Sequence, residues 1–143
     1  MGKLRVGVIG LGVGSKHIAA YQAHPSVKVV KICDINNDRL QEVGQDYPEI
    51  DRVSDPDKVL NDKCIDVVSI ASYDNYHCEQ ILQALNNDKH VYVEKPMCLF
   101  DKEAKSIRKL LNRKPELQLS SNLVLRTCPR FIRLKEAIRS GEM

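Results

Sequence analysis

Short strand-like runs alternate along the chain with longer stretches in which apolar residues recur at helical spacing. The runs are Leu4–Ile9, Val27–Cys33, Ile65–Ala71, Val91–Val93 and Leu117–Val124, and several of them are apolar on successive residues. That is the pattern of parallel strands covered on both faces. Ile50–Val53 is a weaker, shorter strand candidate. Helices are predicted between them at Ser15–His24, Asn37–Asp46, Pro56–Asn61, Asn75–Asn87 and Asp101–Asn112. In the fourth, Ile81, Leu82 and Leu85 form a narrow apolar stripe. Asp55 before Pro56 places a capping side chain ahead of a proline at the first helical position. A last helix runs from Pro129 to near Ser140-Gly141. Strict alternation of strand and helix predicts an α/β fold, a doubly wound parallel sheet in three α/β/α layers with right-handed crossovers.

Composition narrows the class. The 143 residues are 43% apolar and 29% charged, enough for one domain with a real core. The net charge of +3 is small and the lysines are scattered, so no nucleic-acid partner is expected. Lys102, Lys105, Arg108, Lys109 and Arg113 read as the solvated face of one helix. The five cysteines, at 33, 64, 78, 98 and 128, are odd in number and form no C-x-x-C. A disulfide framework or a zinc site is therefore not expected; reduced thiols in a cytoplasmic protein are. Cys33 reads as a small core residue. No run approaches the roughly 18 apolar residues that a membrane span needs. Lys3 and Arg5 before an apolar run imitate a signal peptide, but the glycines at 7, 10, 12 and 14 make that run a poor helix.

Those glycines carry the first chemical signal. Gly10-Leu11-Gly12-Val13-Gly14 follows a strand and opens a helix. Glycine lets the backbone turn tightly and lets a phosphate approach it, while the unpaired amides and dipole of the helix start attract negative charge. This is the Rossmann arrangement for a dinucleotide pyrophosphate. The usual third glycine would fall at Ser15, so the turn reads as one residue shorter. Asp34 closes the second strand, 20 residues after Gly14. A carboxylate there accepts hydrogen bonds from an adenosine ribose and repels a 2′-phosphate, which favours NAD and makes NADP less likely. Arg39 nearby softens that repulsion. The plainer reading is that Asp34 caps the next helix.

Two further segments fall at strand ends. His90-Val-Tyr-Val-Glu-Lys-Pro96 delivers Glu94, Lys95 and Pro96 to the carboxyl edge of the sheet, where ligands of such folds bind. A lysine there can donate to a substrate oxygen or the nicotinamide ribose, or transfer a proton if its pKa is lowered. Pro96 restrains Lys95 to extended backbone, and the bond between them is a candidate cis peptide. The alternative is an exposed Glu-Lys pair. In Ala71-Ser-Tyr-Asp-Asn-Tyr-His77, Ser72 and Asp74 can hydrogen-bond a cofactor. His77, in the first turn of the following helix, is equally open to a structural role. His17 and His24 read as structural.

Together, Gly-Leu-Gly-x-Gly-x-x-His (10–17), Asp34, Ala-Ser-x-Asp-x-x-His (71–77) and Lys-His-Val-x-Val-Glu-Lys-Pro (89–96) resemble the glucose–fructose oxidoreductase / inositol dehydrogenase / MocA family. Leu125-Arg-Thr-Cys-Pro129 and the helix after it resemble that family's passage out of the nucleotide domain. The resemblance implies an NAD(P)-dependent oxidoreductase moving hydride to or from a hydroxyl-bearing carbon of a sugar, sugar nucleotide or cyclitol. It matches Lys95 to the catalytic lysine and Glu94 to the acidic residue beside it. It matches Gly10, Gly12, Val13, Gly14, Asp34, Ser72, Asp74 and His77 to cofactor-side positions. Ser72-Tyr73-Asp74 stands where the family commonly has Thr-Pro-Asn.

The resemblance also implies a second, larger α/β domain that binds substrate. Residues 1–124 are then the cofactor domain and 125–143 an exit segment, with the closing Gly-Glu-Met reading like a cut. Such a piece is expected to bind NAD with little or no turnover, its full-length parent being a homo-oligomer. A nucleotide-sensing Rossmann module without chemistry is the alternative. An S-adenosylmethionine-dependent methyltransferase would leave Glu94-Lys95-Pro96 unexplained.

Overall fold

The computed structural model describes residues 2–142. Six strands, β1 (Leu4–Ile9), β2 (Val27–Cys33), β3 (Asp51–Val53), β4 (Val67–Ile70), β5 (His90–Val93) and β6 (Leu119–Ser121), alternate with helices. The helices are α1 (Gly14–Gln22), α2 (Asn37–Asp46), α3 (Asp57–Leu60), α4 (Asp74–Asn86), α5 (Asp101–Arg113) and α6 (Pro129–Ser140). All strand pairs are parallel, in the order β3-β2-β1-β4-β5-β6. This is the doubly wound sheet that the alternation predicts.

The side chains of the sheet alternate between its faces, except that β2 carries one extra residue, Val30, between Val29 and Lys31, so that Val29 and Ile32 share a face. Val6, Val8, Val29 and Ile32 pack with Ile18 of α1 and Leu40 of α2 on one face. Ile70, Val91 and Val93 pack with Leu60, Ile81, Leu85 and Ile107 from α3, α4 and α5 on the other. Cys33 is buried in that second core, where desolvation pushes its thiol up to about 12.

Most elements fall where the hydrophobic pattern puts them. Asp55 fills its capping role from two residues before α3 begins, its Oδ1 accepting from the Asp57 amide at 2.9 Å. Two strands are shorter than their apolar runs. Ile65–Ala71 pairs only over Val67–Ile70, between the four-residue β5 and the longer β1. Leu117–Val124 narrows to Leu119–Ser121 because β6 is an edge strand whose only ladder is to Val91–Val93. Val124–Arg126 forms a 3-10 turn instead, with Val124 and Leu125 exposed. α6 follows, and none of its described residues is buried.

Candidate functional site

The strand order reverses between β1 and β4, and the carboxyl ends of β1, β2, β4 and β5 share one edge of the sheet. Open α/β sheets bind ligands at such a switch point. The turn after β1 and the segment after β4 meet there. Gly10 has φ +85°, and a Cβ on it would lie 2.3 Å from the Ala71 carbonyl oxygen, so a side chain is excluded twice over. Gly14 begins α1. A Cβ there would press on Val8 at 3.1 Å and Ala71 at 3.3 Å. The third glycine, although one position early, therefore performs the close helix-to-sheet packing required of it. Gly12 differs: a Cβ on it would meet nothing within 4 Å.

α1 starts without a side-chain cap and without an acidic residue in its first turn. Its first amides and its dipole are left available to an anion. They open on a cleft of about 800 Å³ lined by Gly12, Val13, Asp34, Arg39, Ser72 and Tyr76, among others.

Asp34 is 5% exposed. Its Oδ2 accepts from the Leu11 amide at 2.8 Å, its Oδ1 accepts from the Asn36 amide at 2.8 Å, and Arg39 Nη1 stands 3.6 Å from Oδ2. Capping of α2 falls to Asn36, whose Oδ1 accepts from the Arg39 amide at 3.1 Å. Asp34 is thus not the helix cap. A carboxylate has about four acceptor positions, so two amides leave room for hydroxyl donors.

The segment after β4 divides. Ser72 lines the cleft and donates to Gln80 Oε1 at 2.6 Å. Asp74 opens α4, is exposed, and does not line the cleft. His77 is fully buried between two main-chain carbonyls, with Nδ1 2.7 Å from Pro96 O and Nε2 3.1 Å from Ser72 O. It ties the loop after β4 to the loop after β5 rather than facing the cleft.

The loop after β5 carries Glu94 and Lys95, with a cis bond between Lys95 and Pro96. Lys95 is exposed, and among the described residues its ammonium has no partner; its amide donates to Glu94 Oε2 at 3.3 Å. Glu94 is a hub. Asn122 Nδ2 donates to its Oε1 at 2.6 Å, and His17 Nε2 lies 3.1 Å from the same oxygen. Burial pushes the Glu94 carboxyl up, but the hydrogen bonds from Asn122, the Lys95 amide and His17 outweigh it and hold the group below its ordinary value.

The sequence reading gave His17 only a structural role and did not single out Asn122. The ring of His17 sits between Ser69 Oγ, 3.0 Å from Nδ1, and Glu94, with its edge against Tyr92 at 5.4 Å. Its spacing was the available signal: three residues after Gly14, it shares the helix face that begins at the glycine turn. No group of three or more His, Cys, Asp or Glu among the described residues is arranged to hold a metal ion. No described helix is long and apolar enough to cross a membrane.

Comparison with known proteins agrees with this geometry. The inositol 2-dehydrogenase of Salmonella typhimurium is 29% identical over 98% of this chain and 43% of its own length. The NADP(+)-dependent scyllo-inositol 2-dehydrogenase IolW of Bacillus subtilis is 26% identical over 98% of this chain and 38% of its own. The chain thus spans about two fifths of these relatives. In fold it superimposes on the scyllo-inositol dehydrogenase of Lactobacillus casei, solved with NAD(H) and scyllo-inositol, with a TM-score of 0.85 and 23% identity, covering 98% of this chain and 42% of that one. Residues 4–122 match the NAD-binding Rossmann fold of the Gfo/Idh/MocA oxidoreductases, and the chain belongs to that family.

Proposed function

We propose that this chain is the cofactor-binding part of a dehydrogenase acting on a hydroxyl-bearing carbon of a cyclitol or sugar. It would use NAD in preference to NADP, in a longer cytoplasmic polypeptide whose second domain holds the substrate. The carrying observation is one sheet edge that presents an uncapped helix behind a glycine turn, a buried carboxylate 2.8 Å from that turn, and a partnerless lysine. The residues fit the cofactor. Gly10, Gly12, Val13 and Gly14 bring the amides of α1 to the pyrophosphate. Asp34 accepts from the ribose hydroxyls, and Ser72 lies along the same cleft. Asp74 and His77 act on the cofactor through the loop that they frame.

When bound, the nicotinamide supplies a hydride acceptor. Lys95 would hold or move the proton of the substrate hydroxyl, with Glu94 fixing its backbone. The free cysteines and the relatives' names support the compartment and the substrate class respectively.

Calorimetric titration with NAD⁺ and NADP⁺ tests the reading, with Asp34→Asn alongside. Saturable NAD⁺ binding that weakens in the variant supports it; binding of neither dinucleotide overturns it.

A further inference from the structure

We infer that His17 is a positioning residue through which the dinucleotide-binding helix sets the Glu94-Lys95 segment. This deepens the reading above and rests on it for the ligand. The hydrogen bonds run in one direction. An ionised Glu94 only accepts, so the His17 Nε2 that faces it at 3.1 Å donates. In the neutral ring His17 Nδ1, 3.0 Å from Ser69 Oγ, accepts the Ser69 hydroxyl proton. Half-buried Tyr21 lies one turn further along α1. The groups facing His17 are Ser69 from β4, Tyr92 from β5 and Glu94 beyond β5.

Both ring nitrogens of His17 and both oxygens of Glu94 are engaged, and the two side chains are only 10% and 12% exposed. Buried polar chains partnered in this way hold a single arrangement.

The placement matters. Gly14 and His17 occupy one helical turn of α1. At one end of that turn are the amides presented to the cleft. At the other, 77 residues away in sequence, is the carboxylate whose second oxygen accepts from the Lys95 amide at 3.3 Å. An anion drawn to the helix start acts on the same rigid turn that holds Glu94. His17 thus reports occupancy of the cofactor cleft to the backbone of Lys95. A merely space-filling histidine would not need both ring nitrogens engaged.

Trace acetylation of the lysines with acetic anhydride, read peptide by peptide over a pH series, tests this on the whole chain with and without NAD⁺. Lys102 and Lys105, both exposed, serve as internal references. We expect the Lys95 profile to move when NAD⁺ is added, while theirs stay fixed. His17→Phe keeps a ring but loses both hydrogen bonds, and should move the Lys95 profile in the free protein and cut the NAD⁺-dependent change by about fivefold, the low end of usual coupling. His17→Gln can accept from Ser69 and donate to Glu94, and should restore both. If His17→Phe fails to fold, Glu94→Gln gives the same comparison. Unchanged Lys95 profiles in a folded variant overturn the proposal. Absence of NAD⁺ binding in the parallel calorimetry overturns the cofactor reading instead, and the profiles of the free protein still decide the role of His17.

Discussion

The backbone amide of Leu11, inside the glycine turn, donates to Oδ2 of Asp34 at 2.8 Å, joining the end of β1 to the end of β2. The residue read from the sequence as a ribose acceptor is therefore also a structural tie. Its removal acts on folding and on binding, and the two effects are separable. Asp34→Ala strands the amides of Leu11 and Asn36 and should lower the stability of the free chain by about 1–3 kcal/mol, read by urea denaturation. Asp34→Asn keeps an oxygen acceptor and should cost less. If Asp34→Ala left the urea midpoint unchanged, the tie would carry no energy.

Gly10 and Gly12 should respond oppositely to the same substitution. Gly10→Ala forces a side chain onto the Ala71 carbonyl at positive φ, and a loss on the order of 2 kcal/mol or more is expected. Gly12→Ala has open space and should leave stability within about 0.5 kcal/mol. Under the proposed function its methyl would stand in the path of the pyrophosphate, and NAD⁺ affinity should fall by about tenfold. Thermal melts and calorimetry on the two variants check the contrast.

Acid should weaken the fold through three carboxylates. Asp66 lies below its ordinary value chiefly because of the Arg5 guanidinium at 2.9 Å, and Asp62 chiefly because of the Lys31 ammonium at 2.6 Å. Glu94 is low because its hydrogen bonds outweigh its burial. Folded values below unfolded ones mean that this stabilisation is complete above the usual carboxylate values, near 4, and drains as pH falls through the folded values. Urea midpoints should therefore be flat toward neutrality and drop on acidification. Asp66→Asn should flatten part of that drop, and an unaltered slope would remove Asp66 from the account.

The cysteines should alkylate in a fixed order. Cys64 is exposed. Burial raises the thiols of Cys78 and Cys98, and most of all that of Cys33, to about 12. The thiolate is the nucleophile, so iodoacetamide at neutral pH should label Cys64 before Cys78 and Cys98, with Cys33 protected until the chain unfolds. Mass spectrometry of a labelling time course reads the order, and early labelling of Cys33 would contradict its burial.

The legible parts of this molecule are those that local physics specifies. β1, β2 and α2 lie at the residues their patterns mark, because long apolar runs and helical spacing need no distant information. The glycine turn, Asp34 and Lys95 were legible for the same reason: each stands at the end of its own strand. Strand length was less so. The apolar stretch after residue 117 looks like a long strand, but an edge strand extends only as far as its single neighbour, and β5 is short. The bonds of His17 to Glu94 and of His77 to Pro96 O join residues that no periodicity relates. His17 reads as an ordinary helix histidine until α1 is laid across the sheet.

The reversal of strand order between β1 and β4 also divides labour. Leu11–Asp34 closes the nucleotide half of the site upon itself, and the His77 bridge closes the half that carries Lys95. The two closures are nevertheless joined, because Gly10 and Gly14 pack on Ala71 and His17 lies 3.1 Å from Glu94. A substitution that shifts the backbone on one side of the reversal is therefore felt on the other, so the two sides are free to vary only together.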